Sequence, residues 1–309
     1  MAKKPVDNKN DPSKKQPKFD PFEDPAEELL IARLPATDPT HNIVLNKFPV
    51  IPKHFILATK DNKPQTDLLE PDDLATTFAC LQAWRDDHRS VPSEDNDILA
   101  FFNSGPHSGA SQPHRHIQFL STTDMKHGIK DHGEARLWKF LLKYLRTPHP
   151  LARSLPQMLK HDPRMPFLVL TLPVHDNMAT SAELYNRYLF LLRAARILMG
   201  DPSTSDLSSA DLESVNVTDP PESKHVAFSY NLALTLQQMT ICPRISESAP
   251  IPGLDGHGVS PNGTILAGTL LVKHAEEWDA LKRADGTQAL DDMLAQVGFP
   301  SAAYNAAQG

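Results

Sequence analysis

Apolar and polar residues alternate along several short stretches of this chain, a period of two that is typical of β-strands with one buried face. Residues 41–53 and 54–59 show this alternation, interrupted at Pro49 and Pro52, so we expect consecutive strands of an antiparallel sheet. The apolar run at 98–102 predicts a buried strand. Further strands are expected at 114–120, 167–172, 226–236 and 239–242.

A helical period is clearest at residues 72–89, where Leu74, Phe78, Leu81 and Trp84 fall on one face. Because short strands and helices are interspersed along the chain, the pattern predicts an α+β fold in which helices pack on an antiparallel sheet. Further helices are expected at 25–33, 134–145, 181–199 and 291–296.

Two polar stretches divide the chain. Residues 1–20 are rich in lysine and predict a disordered basic tail, and residues 200–224 are rich in Ser, Asp and Pro and predict a disordered insertion. Between and after them we expect a catalytic half at 21–199 and a second half at 225–309. Residues 41–45 are weakly similar to residues 230–234, and each segment is followed by an apolar pair, a proline and a basic residue. This internal similarity is consistent with two similar halves.

The formal net charge is −7 and the sequence pI is about 6.0, which argues against a general nucleic-acid-binding surface. No apolar run is long enough to span a bilayer, and the N-terminal residues lack the apolar core of a secretory signal. We therefore expect the protein to be cytoplasmic and to have neither a nucleic-acid nor a membrane partner. The lysine pairs at 3–4 and 14–15 also fit a weak nuclear-localisation signal.

The chain has two cysteines, Cys80 and Cys242, each in apolar surroundings. No CxxC motif is present, so a thiolate zinc site is not expected, and both residues are interpreted as buried free thiols.

Candidate chemistry concentrates in residues 103–118. Small and polar residues at 103–113 form a loop in which backbone N–H groups can approach an anion closely. Directly after it, His114, His116 and Gln118 alternate along a predicted strand and so point to one face. Three interpretations compete: a polar strand edge with incidental histidines, a metal site, and a nucleophilic imidazole beside a phosphate cradle. The loop and Gln118 favour the nucleophile.

The same residues carry a resemblance. The segment SQPHRHIQ at 111–118 resembles the His-x-His-x-Gln signature of the GalT-like branch of the HIT superfamily. The run SGASQPH at 108–114 resembles the fungal diadenosine tetraphosphate (Ap4A) phosphorylase, or ATP adenylyltransferase, family in particular. The resemblance extends over about residues 20–300, with NKF at 46–48, PKH at 52–54, YNL at 230–232 and LLVK at 270–273 as further matches.

The resemblance implies a HIT-like fold of two similar halves and a nucleotidyltransferase. Its expected reaction is Ap4A plus phosphate giving ATP and ADP, reversibly, through a covalent His116–AMP intermediate. Phosphorolysis of ADP-sulfate (APS) is a further expected activity. The expected ligands are Ap4A, ATP, ADP and phosphate, bound by a monomer with a divalent cation, Mg or Mn, that accompanies the nucleotide.

Residue by residue, the resemblance implies that His116 is the nucleophile and that Lys47 supplies positive charge to the polyphosphate. Ser111 and Gln118 would stabilise charge during transfer. His114 matches a zinc ligand of related uridylyltransferases, but their paired cysteines are missing, so we expect no zinc and a structural or electrostatic role for His114. The other expected substrate contacts are Asn103, Gly109, Ala110, Gln112, Asn262, Gly263, Thr264, Thr269 and Lys273.

Three alternatives to this function stay open at the sequence level: a sugar-1-phosphate uridylyltransferase, a hydrolase of dinucleoside polyphosphates, and a nucleotide-binding sensor that forms no covalent intermediate. Other histidines lie outside the nucleophile motif. Among them, His54 and His107 are interpreted as ordinary polar surface groups, and His41 as a structural residue.

Overall fold

The structure of the protein is a computed structural model. Most of the predicted tail and insertion, at 1–19 and 201–222, lies outside the described residues. The structure describes residues 20–88, 97–127, 138–145, 147–148, 160–161, 165–175, 180–200, 223–283 and 287–301.

The described strands form one long antiparallel sheet and one short ribbon. The sheet order is β1-β2-β3-β5-β4-β9-β10-β8-β7-β6, and β11 pairs only with β12. This architecture confirms the predicted α+β class. The strands are β1 Leu30–Leu34, β2 His41–Leu45, β3 Phe55–Thr59, β4 Ile98–Ser104, β5 His116–Ser121, β6 Thr147–Pro148, β7 Lys160–His161, β8 Leu170–Pro173, β9 Ser229–Leu234, β10 Gln238–Arg244, β11 Ala249–Pro250 and β12 Gly258–Val259.

The helices are α1 Pro71–Asp87, α2 Thr122–His127, α3 Ser181–Leu198, α4 Ala275–Arg283 and α5 Thr287–Ala295, and the 3-10 helices are Leu141–Tyr144 and Gly263–Ala267. Helices α1 and α3 cover one face of the sheet, and the two 3-10 helices with α2 pack on the other. Helices α1 and α3 pack on each other and on β4 and β10. Leu74, Phe78 and Leu81 are buried there, as the helical period predicts. No described helix is long and apolar enough to cross a membrane.

The central strand β4 is buried along its whole length because separate apolar cores lie on its two faces. It pairs with β5 on one side and with β9 on the other, where Asn103 lies opposite Asn231. The sheet therefore joins the earlier and later parts of the chain without a break. Strand β8 pairs with β10, across the predicted boundary at residue 199, and that boundary stays a prediction.

Two helix predictions are wrong. Residues 25–33 form turns followed by β1, because Leu30–Leu34 pairs with β2 as an edge strand, and this long-range pairing overrides the local helical signal. In the predicted helix at 134–145, the described part holds only the 3-10 helix Leu141–Tyr144, and residues 134–137 lie outside the described residues. Helices α2 and α4 were not predicted.

Candidate active site

The His-x-His segment enters the sheet at the start of β5, and its two rings lie on the same side. The ring of Phe22 packs against both, with centroid distances of 5.7 Å to His114 and 5.0 Å to His116. Along the strand, His116 lies opposite Ala58 of β3, and Gln118 lies opposite both Ile56 and Phe101. The prediction that the side chains of His114, His116 and Gln118 point to one face of the sheet is therefore confirmed.

Hydrogen bonding fixes the tautomer of His116. Its Nδ1 lies 2.8 Å from the backbone oxygen of His114, and a carbonyl oxygen only accepts, so Nδ1 carries the proton. The lone pair is then on Nε2. Burial, together with the neighbouring His114 and His54, lowers the pKa of His116 to about 4. At neutral pH the ring is an uncharged nucleophile with one nitrogen available.

His116 is only 2% exposed, yet it lines a cavity of about 440 Å³. Both polar and apolar residues line the cavity. The polar residues include five predicted site residues and one unpredicted one, namely Lys47, Ser111, Gln112, His116, Gln118 and Asn46. The apolar residues were not predicted and include Phe22, Pro25, Leu29, Val44 and Ile56. The exposed ring of Phe48 completes the rim.

His114 is held between two acceptors. Its Nδ1 lies 2.7 Å from Oδ2 of Asp20, and its Nε2 lies 2.7 Å from the backbone oxygen of Thr59. Burial acts to raise the pKa of Asp20, but hydrogen bonds from the Phe22 N–H and from His114 outweigh it, so the pKa is lowered and the carboxylate accepts. The Thr59 hydroxyl donates to the oxygen of Asp61 and therefore does not donate to His114.

Each ring nitrogen of His114 thus faces a protein oxygen. Among the described residues, no group of three or more His, Cys, Asp or Glu side chains is arranged to hold a metal. The arrangement supports the electrostatic and structural role expected for His114, while the absence of zinc stays a prediction.

Gln65, which the sequence did not single out, clamps the backbone of the nucleophile. Its Oε1 accepts from the N–H of His116 at 2.7 Å. Its Nε2 donates to the backbone oxygens of Asn103 at 2.8 Å and of His116 at 3.2 Å. The side chain is 3% exposed, so these bonds are shielded from water. Gln65 therefore joins the ends of β4 and β5 at the position of the reacting ring.

Asn103 connects the site to the later part of the chain. Its Oδ1 accepts from Nδ2 of Asn231 and from the N–H of Gly263, both at 2.9 Å. Its Nδ2 is buried and has no hydrogen-bond partner in the part of the chain that the structure describes. Arg244 supports this connection by donating to Oδ1 of Asn231 at 2.7 Å. Nδ2 of Asn103 is thus an unpaired donor, among the described residues, on strand β4 beside the strand that carries His116.

The loop after β4 packs closely on residues 261–264. Gly109 has a φ of +75°, and a Cβ atom there would lie 2.8 Å from the oxygen of Pro261, so glycine is required on both grounds. Asn262 accepts from the N–H of Thr264 at 3.0 Å and so caps the second 3-10 helix. The predicted residues Gly109, Asn262 and Gly263 are thus brought together, although they do not line the cavity.

Four other predicted contacts do not line the cavity either, and their contact with substrate stays a prediction. The Thr264 hydroxyl donates to the backbone oxygen of Thr269, whose own hydroxyl accepts from Trp138 at 3.1 Å. Lys273 has an exposed side chain, and its N–H is bonded to Glu277. Ala110 is half-buried in the loop before β5.

Comparisons with known proteins agree with this site. Residues 1–130 match the family model of the Ap4A phosphorylase N-terminal domain, and residues 163–300 match the ATP adenylyltransferase C-terminal domain. Diadenosine 5',5'''-P1,P4-tetraphosphate phosphorylase 2 of Saccharomyces cerevisiae is 30% identical, over 98% of this chain and 82% of that protein. The chain belongs to the Ap4A phosphorylase family.

Other family members agree in sequence and in structure. Protein APA1 of S. cerevisiae is 29% identical over 91% of this chain and 77% of its own length. The crystal structure of yeast Ap4A phosphorylase Apa2 in complex with AMP superposes with a TM-score of 0.66 at 26% identity, covering 93% of this chain and 83% of that one. The complex of Apa2 with Ap4A gives 0.62 at 25% identity, covering 91% and 80%.

Proposed function

We propose that this protein transfers an adenylyl group from Ap4A to inorganic phosphate through a covalent bond to His116, giving ATP and ADP. The observation that carries the proposal is a neutral imidazole, with Nδ1–H held by a carbonyl oxygen and Nε2 unprotonated, in the wall of a cavity that also contains Lys47 and Gln118. One relative named above is an Ap4A phosphorylase of S. cerevisiae, and the structures of yeast Ap4A phosphorylase Apa2 contain AMP or Ap4A.

The reaction balances in two displacements. In the first, Nε2 of His116 attacks an α-phosphorus of Ap4A, the bond to the bridging oxygen breaks, and ATP leaves. In the second, an oxygen of inorganic phosphate attacks the same phosphorus, the N–P bond breaks, and ADP leaves. A neutral imidazole serves both steps because it is nucleophilic in the first and a good leaving group in the second.

The mixture of polar and apolar residues in the cavity suits the two parts of a nucleotide. Lys47, Ser111 and Gln118 supply positive charge and hydrogen-bond donors for the phosphates, where charge develops during transfer. The apolar residues, Phe22 among them, suit the flat faces of an adenine ring. A divalent cation, Mg or Mn, enters with the nucleotide and neutralises part of the polyphosphate charge.

The covalent step is tested with Ap4A labelled at the α-phosphorus. Wild-type protein should retain acid-labile label, and His116→Ala should retain none and lose turnover. His116→Gly should regain turnover when free imidazole is added. The matched control is His225→Ala, because the His225 side chain is exposed and forms an ion pair with Asp67, away from the cavity lining. Normal turnover by His116→Ala would refute the mechanism.

Product analysis separates the remaining alternatives. A phosphorylase releases ATP and ADP only when phosphate is present, whereas a hydrolase releases AMP without phosphate. A sensor binds Ap4A without retaining label, and a uridylyltransferase accepts UDP-sugars. The same assay with ADP-sulfate tests the second expected activity. A monomeric state and a cytoplasmic location, with the nucleus as a further compartment, belong to the same proposal.

A further inference from the structure

A half-buried histidine, His54, lies near the candidate active site and has no role in the mechanism above, and it is not among the residues that line the cavity. It directly precedes β3 and is two residues before Ile56, which lies opposite Gln118. Alternation along the strand therefore puts His54 on the same face of the sheet as Gln118. Its ring lies 6.4 Å from that of Phe101, centroid to centroid. His54 is thus half-buried with a buried Nε2 atom, whereas the sequence-based interpretation was an ordinary surface group.

The tautomer of His54 is fixed by Asn46. Oδ1 of Asn46 accepts from the N–H of Phe48 at 3.0 Å, so its amide nitrogen is the atom that faces His54. That nitrogen lies 2.9 Å from Nδ1 of His54 and can only donate. Nδ1 is therefore the acceptor, and the ring proton of neutral His54 is on Nε2.

The resulting Nε2–H is a buried donor that has no acceptor at normal hydrogen-bond geometry among the described residues. Burial lowers the pKa of His54 to about 4, although a hydrogen-bonding interaction with the Gln118 side chain acts to raise it, so the ring is neutral at pH 7. No hydrogen bond of normal geometry reaches Nε2 from any described residue. A buried donor left unpaired costs free energy, and such groups are rare in folded proteins unless a ligand or an ordered water completes them.

We propose that Nε2–H of His54 binds a phosphate oxygen of the substrate beside Gln118, which makes His54 a substrate-binding residue. The unpaired Nδ2 of Asn103, on the strand next to His116, is a second donor that awaits an acceptor. The Asn46–His54 bond also fixes the loop that brings Lys47 to the cavity. The inference rests on the proposed function.

The phosphate oxygen that accepts from Nε2–H of His54 belongs either to the nucleotide or to free inorganic phosphate. The two half-reactions, adenylylation of His116 and transfer of the adenylyl group to phosphate, distinguish these two sources. His54→Phe keeps a ring of similar size without the donor, and His54→Gln places an amide N–H near the position of Nε2. His88→Phe is the control, since His88 stacks on Trp84 at the end of α1. Thermal melting of each variant checks that it is folded.

Loss of a neutral donor to a charged acceptor should weaken binding on the order of 10-fold to 100-fold. His54→Phe should show this loss in adenylylation by Ap4A if the oxygen belongs to the nucleotide, and in the KM for phosphate acting on the adenylylated enzyme if it belongs to free phosphate. His54→Gln should stay within about 3-fold of wild type. Unchanged values for His54→Phe in both half-reactions would overturn the proposal.

A spectroscopic readout separates this inference from the proposed function. Long-range ¹H–¹⁵N correlation of histidine-labelled protein should show neutral His54 with its proton on Nε2. Titration with inorganic phosphate, AMP or ATP should then shift the Nε2 signal more than the Nδ1 signal. A proton on Nδ1, or an Nε2 signal that no phosphate ligand moves, would refute the inference. Wild-type protein that retains no label from Ap4A would refute the proposed function alone.

Discussion

Replacement of Gln65 by Met tests whether the nucleophile depends on a clamp from outside its strand. Methionine has nearly the volume of glutamine, so the substitution removes the polar groups without opening a cavity. It breaks the bond from the N–H of His116 and the two bonds to the backbone oxygens of Asn103 and His116. Because Gln65 is 3% exposed, water does not replace these bonds without local opening.

The expected loss of stability is about 3 kcal/mol, since each of the three bonds contributes about 1 kcal/mol net. We also expect kcat to fall on the order of 10-fold, because a small displacement of a reacting group weakens its alignment with the phosphorus. KM for Ap4A should change little, since Gln65 does not line the cavity. A lower kcat with an unchanged KM is the result expected of a residue that positions the nucleophile without touching the substrate.

Urea unfolding gives the free energy of unfolding, and single-turnover adenylylation well below the unfolding temperature gives the rate. The matched control is Gln288→Met, because Gln288 is exposed and bonds only to Asp292 of its own helix. Its free energy of unfolding should change by less than about 0.5 kcal/mol. A Gln65→Met protein with wild-type kcat and a loss below about 1 kcal/mol would refute the reasoning.

Two further predictions follow from the pKa values and the packing. His54 and His116 have pKa values lowered to about 4, so both rings are neutral in the fold and take up protons on unfolding below about pH 6.5. The free energy of unfolding should be highest above that pH and fall towards pH 4, and equal values by urea titration at about pH 7.5 and 5 would contradict this. In Gly263→Ala, a Cβ would lie 2.7 Å from Phe101 and 3.0 Å from Oδ1 of Asn103. The substitution should lower the free energy of unfolding by about 1–3 kcal/mol and raise KM for Ap4A. A free energy of unfolding unchanged in urea, together with an unchanged KM in initial-rate assays, would contradict this.

Local patterns in the sequence were sufficient for the elements that face a core. Helix α1 buries residues at a helical spacing and strand β4 is buried along its whole length, so a helical period and a continuous apolar run show in the sequence. The alternation of His114, His116 and Gln118 also predicts their common face, because side-chain direction in a strand depends only on spacing. Lys47 reached the candidate set through the family resemblance, and it does line the cavity.

Residues that depend on long-range packing could not be found in this way. Phe22 lies next to the polar tail, and nothing in its local sequence indicates that it packs on both histidines. Gln65 lies in the connection between β3 and α1, where a buried amide has no periodic signal. Strand β1 forms only because β2 offers it a free edge, and that information is not present in residues 25–33.

The three residues of the His-Arg-His segment are fixed from opposite faces of the sheet, which explains how the loop before β5 can end in a firmly held nucleophile. His114 is held by Asp20 on the face that carries the cavity. The intervening Arg115 is bonded to the buried carboxylate of Asp73 at 2.9 Å, at the start of α1. Its guanidinium is thereby kept on the other face, where it does not compete for substrate phosphate. His116 then receives a fixed backbone from Gln65 and a fixed tautomer from the His114 carbonyl, which together keep its ring aligned before substrate arrives.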